Sequence, residues 1–250
     1  MNGEVLPVSG GGPWSPLRIA LYRSMWIAAL VSNVGTFMHI VAAGWAMTSL
    51  TDSPTLVGLV QTSWAVPGFA LALHAGAFAD MVERRRLIAF TQVLALFIAA
   101  ALGVLEMTGH LGVTTLLAGT FLESVALTIA APAFMALTPQ LVGTQYLSQA
   151  FGLDSVSRNI AQSVGPALAG AVIAFTNPGA VFMLNAVSFV GILIVVQKLP
   201  TFSAQVESAS KINNDGWSFE MFIPYSAIRF GKNDVQNWGL NITRRRRKTD

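Results

Sequence analysis

Glu123, Asp154 and Arg158 each interrupt a long run of apolar residues. An ionisable side chain in apolar surroundings is costly unless it is paired, hydrogen-bonded or put to use. Asp154 and Arg158 are four residues apart. On a helix this spacing puts them on one face, where each can neutralise the other. Gln162 extends the same stripe by one turn. Two readings stand for the pair: a functional charge couple, or two side chains near a helix end that reach out to water. Glu123 lies about a dozen residues into its apolar run. A lone carboxylate at that depth can carry a proton, and the competing reading is a structural hydrogen bond.

Asn33, Thr36 and Phe37 share a helical face in the first apolar segment, and Gln61 stands in the second. Contact with a ligand and hydrogen bonding to a neighbouring helix explain such polar groups equally well. The three histidines, His39, His74 and His110, are far apart. No metal-ligand spacing or Ser/His/Asp arrangement is present. No phosphate loop, GxSxG or HExxH motif occurs, so the chain is expected to be neither an enzyme nor a cofactor protein. It has no cysteine, which removes disulfides and thiol chemistry.

The elements that must hold these residues follow from hydropathy. The chain is 53% hydrophobic and 11% charged, against about 25% charged residues in a typical soluble domain. Six stretches reach the length of about 20 apolar residues that a bilayer requires. They run over Met25–Leu50, Leu56–Ala79, Leu87–Leu105, Leu111–Leu137, Leu147–Phe175 and Ala180–Gln197. Turn residues separate them, as in Thr51-Asp52-Ser53-Pro54 and Thr108-Gly109-His110. Small residues at Ala161, Gly165, Ala169 and Gly170 predict close helix packing in the fifth, and Pro166 predicts a bend there. Arg18 and Arg23 precede the first segment, Arg84, Arg85 and Arg86 lie between the second and third, and Lys198 follows the sixth. The loops 51–55, 106–110 and 176–179 carry no Lys or Arg. This bias predicts that both ends of the six-helix unit are cytoplasmic. The N-terminus lacks a basic region before a short apolar core, so the first segment is expected to stay in the mature protein.

Composition changes near Pro200. Residues 201–250 hold 8 of the 15 Lys and Arg and 5 of the 12 Asp and Glu. Trp217, Phe219, Met221 and Ile223 alternate with Ser218, Glu220 and Phe222, which predicts a strand ended by Pro224. Tyr225–Phe230 is expected to form a helical turn, and Trp238, Leu240 and Ile242 to form a second strand. Arg244–Lys248 reads as a solvated strand end, with no nucleic-acid partner expected. The resulting division is a cytoplasmic segment 1–24, a six-helix unit 25–198, a linker 199–210 and a β fragment 211–250.

The segment Gly76-Ala-Phe-Ala-Asp80-Met-Val-Glu-Arg84-Arg85-Arg86 resembles the signature loop of the major facilitator superfamily: a Gly, an Asp four residues on, and a basic cluster opening the third helix. Met81 stands where that pattern usually has a basic residue, and Glu83 where it usually has a Gly. Other stretches are similar to the enterobactin-exporter-like branch. They include Trp26-Ile-Ala-Ala-Leu-Val-Ser-Asn33-Val-Gly35-Thr, Ala43-Gly44-Trp45, Leu50-Thr-Asp-Ser-Pro54, Ala131-Pro132-Ala133, Gly165-Pro166-Ala-Leu-Ala-Gly170 and Leu184-Asn185-Ala186. Gln162 departs from it where a basic residue is expected, and Arg158 where an apolar one is. The likeness covers residues 20–200, half of a family that normally has 12 helices. It implies an all-α fold of six transmembrane helices in the bacterial inner membrane. The implied activity is proton-driven efflux of a small organic molecule, siderophore-like or drug-like. Helices 1 and 4 are implied to line the path, which makes Asn33, Phe37 and Glu123 the substrate-path candidates. A homodimer, or a separate second half, would have to complete the pathway.

The tail is similar to a fragment of a family 9 carbohydrate-binding-type domain, in Asp215-Gly216-Trp217-Ser-Phe-Glu220-Met-Phe-Ile-Pro224-Tyr-Ser-Ala-Ile-Arg229-Phe230 and in Asp234-Val-Gln236-Asn-Trp238-Gly239-Leu-Asn241. Buried core tryptophans are the favoured reading of Trp217 and Trp238 over sugar-stacking faces. Two other readings of the whole chain therefore stand beside the transporter: a membrane-anchored carbohydrate-binding module, and a non-functional chimera of two pieces. The first requires the tail to be outside the cell. Protease added to intact cells is expected to leave the tail whole and to cut it only after permeabilisation. Cleavage in intact cells would reverse the orientation and favour the carbohydrate-binding module.

Overall fold

The computed structural model describes residues 12–199, 207–213 and 216–222. The chain divides into two compact units, 1–201 and 202–250. In the first, a single 3-10 turn over Ser15–Arg18 leads into six helices: α1 (Ala20–Leu50), α2 (Pro54–Met81), α3 (Arg84–Met107), α4 (Val113–Val142), α5 (Leu147–Phe175) and α6 (Pro178–Gln197). Helices are what a bilayer demands, because each backbone N–H and C=O must find its partner within the segment. Five of the six are long and apolar enough to cross a membrane. The fifth, α5, has the bounds expected from the sequence but falls short in apolarity. Asp154, Arg158 and Asn159 sit in its first half and Gln162 near its middle, and it packs against α1, α4 and α6.

The helix ends follow local chemistry. Pro54 opens α2 and Pro178 opens α6, where the missing N–H costs nothing. The Asn177 side chain caps α6 by accepting from Ala180 N at 3.0 Å. At the end of α3, His110 N donates to Leu105 O at 2.8 Å and Gly109 N donates to Glu106 O at 3.1 Å. This is a Schellman closure, and it needs the left-handed φ of +72° that Gly109 supplies. Four helices begin earlier than the hydropathy reading places them, and α2, α3 and α4 run later. In α4 the helix continues through Pro139 to Val142, past the expected end at Leu137.

Packing pairs α3 with α6 and α4, α2 with α4, and α1 with α6 and α5. In lipid there is little hydrophobic gain from helix association, so close backbone approach has to supply the cohesion. A Cβ on Gly179 would lie 2.9 Å from Gly103 O, and one on Gly103 would lie 3.1 Å from Gly179 O. Here α3 and α6 touch backbone to backbone. A Cβ on Gly165 would lie 2.7 Å from Phe37 Cβ and 3.2 Å from Val34 O, which brings α5 against α1 in the same way. Gly170, by contrast, has nothing within 4 Å of its would-be Cβ, so Ala169 is the small residue buried at that level. Bulky apolar side chains point outward, Phe69 at 94% exposure and Phe175 at 90%. This suits a lipid-facing surface.

Basic residues tie the helix ends at one side of the bundle. Arg85 Nη2 donates to Gln197 O at 3.0 Å and Nη1 to Leu199 O at 3.2 Å, so a cation meets the free carbonyls that end α6. Arg84 Nη1 reaches Ala136 O of α4 at 3.5 Å. Arg86 pairs with Glu83 at 2.7 Å on the exposed face. Glu83 thus gives the Arg cluster a partner at the position where a Gly is usual.

In the second unit, β1 (Glu207–Asn213) pairs antiparallel with β2 (Gly216–Phe222), with Glu207 opposite Phe222 and Asn213 opposite Gly216. The strand expected around Trp217–Ile223 is present. The linker expected over 199–210 is corrected, because β1 starts inside it. Its sequence, Glu-Ser-Ala-Ser-Lys-Ile-Asn, has no alternating apolar face to announce a strand. The expected turn at 225–230, the strand at 238–242 and the run Arg244–Lys248 lie outside the described residues.

Two substitutions test this packing. Gly165→Leu would overpack the α1–α5 contact and is expected to lower stability in detergent by about 1–3 kcal/mol, read from denaturant-induced loss of helical signal. Arg85→Ala is expected to cost about 1 kcal/mol, because charge-assisted bonds to helix carbonyls are lost at a partly exposed site. Wild-type stability in either variant would contradict the contact it probes.

Candidate functional site

A cavity of about 390 Å³ lies among α1, α4 and α5, with single contributions from α2, α3 and α6. This volume falls in the range that takes small organic ligands. It occupies the half of the bundle where α1, α3 and α5 begin, the side of the Arg84–Arg86 cluster. Helical periodicity creates the wall: Tyr22, Trp26, Ala29, Asn33 and Thr36 recur every three or four residues along α1 and all line it, as does Phe37. From α4 come Leu127, Phe134, Met135 and Thr138. From α5 come Asp154, Ser157 and Arg158, and Trp64 enters from α2. The surface is aromatic and aliphatic, with a few polar groups set into it.

A ladder of hydrogen bonds fixes α5 beside α1. Tyr22 Oη donates to Ala150 O at 3.1 Å and approaches Asp154 Oδ1 at 3.5 Å. Trp26 Nε1 donates to Leu153 O at 3.0 Å, and Asn33 Nδ2 to Ser157 Oγ at 3.4 Å. The two helices run parallel, and each rung lies further along both of them. Asp154 is half-buried and bonded to Tyr22, whereas Arg158 is exposed to the cavity. They line the same space one turn apart, but they make no ion pair within 4 Å among the described residues.

Glu123 belongs to a different group, and it does not line this cavity. It is fully buried, together with His39 of α1 and Asn185 of α6. Asn185 Nδ2 donates to Glu123 Oε1 at 2.7 Å and lies 3.3 Å from His39 Nδ1. His39 Nδ1 stands 3.2 Å from Glu123 Oε2. Neither Glu123 Oε2 nor His39 Nε2 makes a hydrogen bond among the described residues. Around the cluster, the Phe182 ring is centred 4.7 Å from the imidazole and the Trp64 ring 6.5 Å from it. Trp64 stands between the two features, since it also lines the cavity. Gly35 makes room for the cluster, because a Cβ there would lie 2.8 Å from Asn185 Oδ1.

Of the substrate-path candidates, the structure brings Asn33 and Phe37 to the cavity and sets Glu123 behind it. Gly165 packs on Phe37, while Pro166 and Gly170 face away from α1. Among the described residues, none of the signature loop lines the cavity. Arg84, Arg85 and Arg86 bind helix ends and Glu83, Gly76 has open space around it, and the Asp80 side chain lies outside the described residues. Sequence reasoning missed His39 and Asn185 as partners of Glu123. Treating His39 as an ionisable group inside the first span, and not only as a metal-ligand candidate, would have marked it.

Residues 11–216 match the model of a family described as transmembrane secretion effector. Among curated relatives, the chain is 24% identical over 163 residues to the staphyloferrin A transporter of Staphylococcus aureus, covering 64% of this chain and 41% of that protein. It is 26% identical over 180 residues to the uncharacterised MFS-type transporter y4rN of Sinorhizobium fredii, covering 71% of this chain and 44% of that protein. It is also 26% identical over 171 residues to the uncharacterised MFS-type transporter YfiS of Bacillus subtilis, covering 68% and 40%. The chain thus spans about two fifths of the length of these relatives. With its helical membrane bundle and internal cavity, the chain belongs to the transmembrane secretion effector family of major facilitator transporters.

Proposed function

We propose that the six-helix unit forms one wall of the pathway of a secondary transporter that exports a small organic molecule and is driven by protons. The observation that carries this reading is the cavity of about 390 Å³ among α1, α4 and α5. Its aromatic rings suit an apolar or aromatic body, while Asn33, Asp154 and Arg158 supply the few polar contacts that orient a ligand. The name of one relative, a staphyloferrin A transporter, agrees with a small-molecule cargo. The Lys/Arg distribution supports cytoplasmic termini and a cavity that faces the cytoplasm.

Transport in this reading needs a second six-helix wall facing the cavity. The cargo then sits between two halves that alternate in access. Neither α5 nor the cavity face of α1 is apolar throughout, which suits a wall that meets water and substrate.

The full chain in vesicles provides the test, with ethidium as the probe. Flux is expected to rise when a pH gradient is imposed and to fall when an ionophore collapses it. Asn33→Ala and Phe37→Ala are each expected to slow flux about tenfold, the equivalent of about 1.4 kcal/mol. Arg86→Ala, on the exposed face, is expected to leave the rate near wild type. Flux indifferent to both cavity substitutions would remove the cavity from the path.

A further inference from the structure

We infer that His39 and Glu123, held by Asn185, form a buried site that binds one proton between them. The inference deepens the proton-driven reading above by naming where the proton sits, and its test separates the two. It rests on geometry. Nδ1 of His39 lies 3.2 Å from Oε2 of Glu123, and Oε2 has no hydrogen-bond partner among the described residues, so an ionised carboxylate would leave this buried oxygen without a donor. The two N–H groups of the Asn185 amide face Glu123 Oε1 at 2.7 Å and His39 Nδ1 at 3.3 Å, so neither is left for Oε2. Both residues have no exposed surface, so water does not reach them to share the load.

The pair can hold its proton in two ways: on the carboxyl with a neutral imidazole, or on the imidazole against a carboxylate. Both are neutral overall, which suits a site at this depth. Removing the proton leaves one uncompensated negative charge with a single amide donor, and adding a second leaves a bare positive charge. Proton release is therefore costly until the cluster gains access to water. Trp64, whose ring is centred 6.5 Å from the imidazole, also lines the cavity, which is a route by which water can reach the cluster. Release and a change in packing among α1, α2, α4 and α6 are thereby linked.

Among the described residues, no other charge pairs with the site. The remaining titratable or charged groups on the packed helices are Tyr22 and Arg23 on α1, His74 and Asp80 on α2, Arg84–Arg86 and Glu106 on α3, and Asp154 and Arg158 on α5. Among the described residues none of these makes an ion pair or hydrogen bond to the cluster, and α6 contributes Asn185 and Phe182 without any charge.

Infrared difference spectra of the full chain in lipid vesicles, recorded along a pH titration, provide the test. Wild type is expected to show a protonated-carboxyl band that titrates and that Glu123→Gln removes. His39→Gln is expected to move its midpoint by about one pH unit or more, a tenfold change in proton affinity. If that variant loses its helical signal, His39→Asn takes its place. A titrating band that survives Glu123→Gln, or a midpoint unmoved by the His39 variant, overturns the site. Ethidium flux in the same vesicles separates the two readings. Wild-type chain with no flux sinks the transporter reading, while the spectra still decide the proton site. Gradient-driven flux with no Glu123 band keeps the transporter and sinks the site.

Discussion

Water expulsion contributes little to helix association inside a bilayer, so α1 must be held by direct contact and hydrogen bonds. Gly165 admits α5 against Phe37 and the Val34 carbonyl, and Gly35 admits Asn185 and Ser188 of α6. The ladder from Tyr22 to Asn33 then sets the rotation of α1 relative to α5. Once that rotation is set, one stripe of α1 can only face the cavity, and His39 can only face Glu123. A slip of one residue along α1 would turn the face by about 100°, the rotation that a helix of 3.6 residues per turn makes per residue. Cavity and cluster would be lost together.

The two polar features answer different demands. The cavity tolerates Asp154 and Arg158 because each keeps some exposure and Tyr22 supports the carboxylate. The cluster has no exposure and must balance its charge internally. Asn185 is suited to this, since it supplies donors without adding a charge of its own. Trp64 is the shared boundary. It is apolar enough to seal the cluster, and it is tied to α4 through its carbonyl, which accepts from Ser124 Oγ at 2.5 Å.

The six helices were legible in the sequence because bilayer thickness forces long apolar runs, while most of their ends fell a few residues away. The span Leu147–Phe175 matches α5 to the residue, even though α5 is not among the five helices apolar enough to cross a membrane. Strand β1 was not legible, because a polar strand has no period of its own and only its partner β2 defines it. At the site, the cost of a buried charge singled out Glu123, while its surroundings stayed hidden. Asn185 lies 62 residues from Glu123 and 146 from His39, and no local spacing encodes contacts of that range. Asn33 and Phe37 reached the cavity because a helical face can be read one turn at a time. Glu123 lies on α4 as well, but on the side turned to α1 and α6.

The rungs between α1 and α5 differ in what they require of the partner's side chain. Tyr22 and Trp26 bond to the carbonyls of Ala150 and Leu153, which any residue other than a helix breaker would present. Asn33 needs the hydroxyl of Ser157, and Phe37 needs the bare Cα of Gly165. Sequence drift on α5 is therefore cheap at the first two rungs and expensive at the last two. Descendants of this chain can change the mouth of the cavity while inheriting its deeper wall nearly intact.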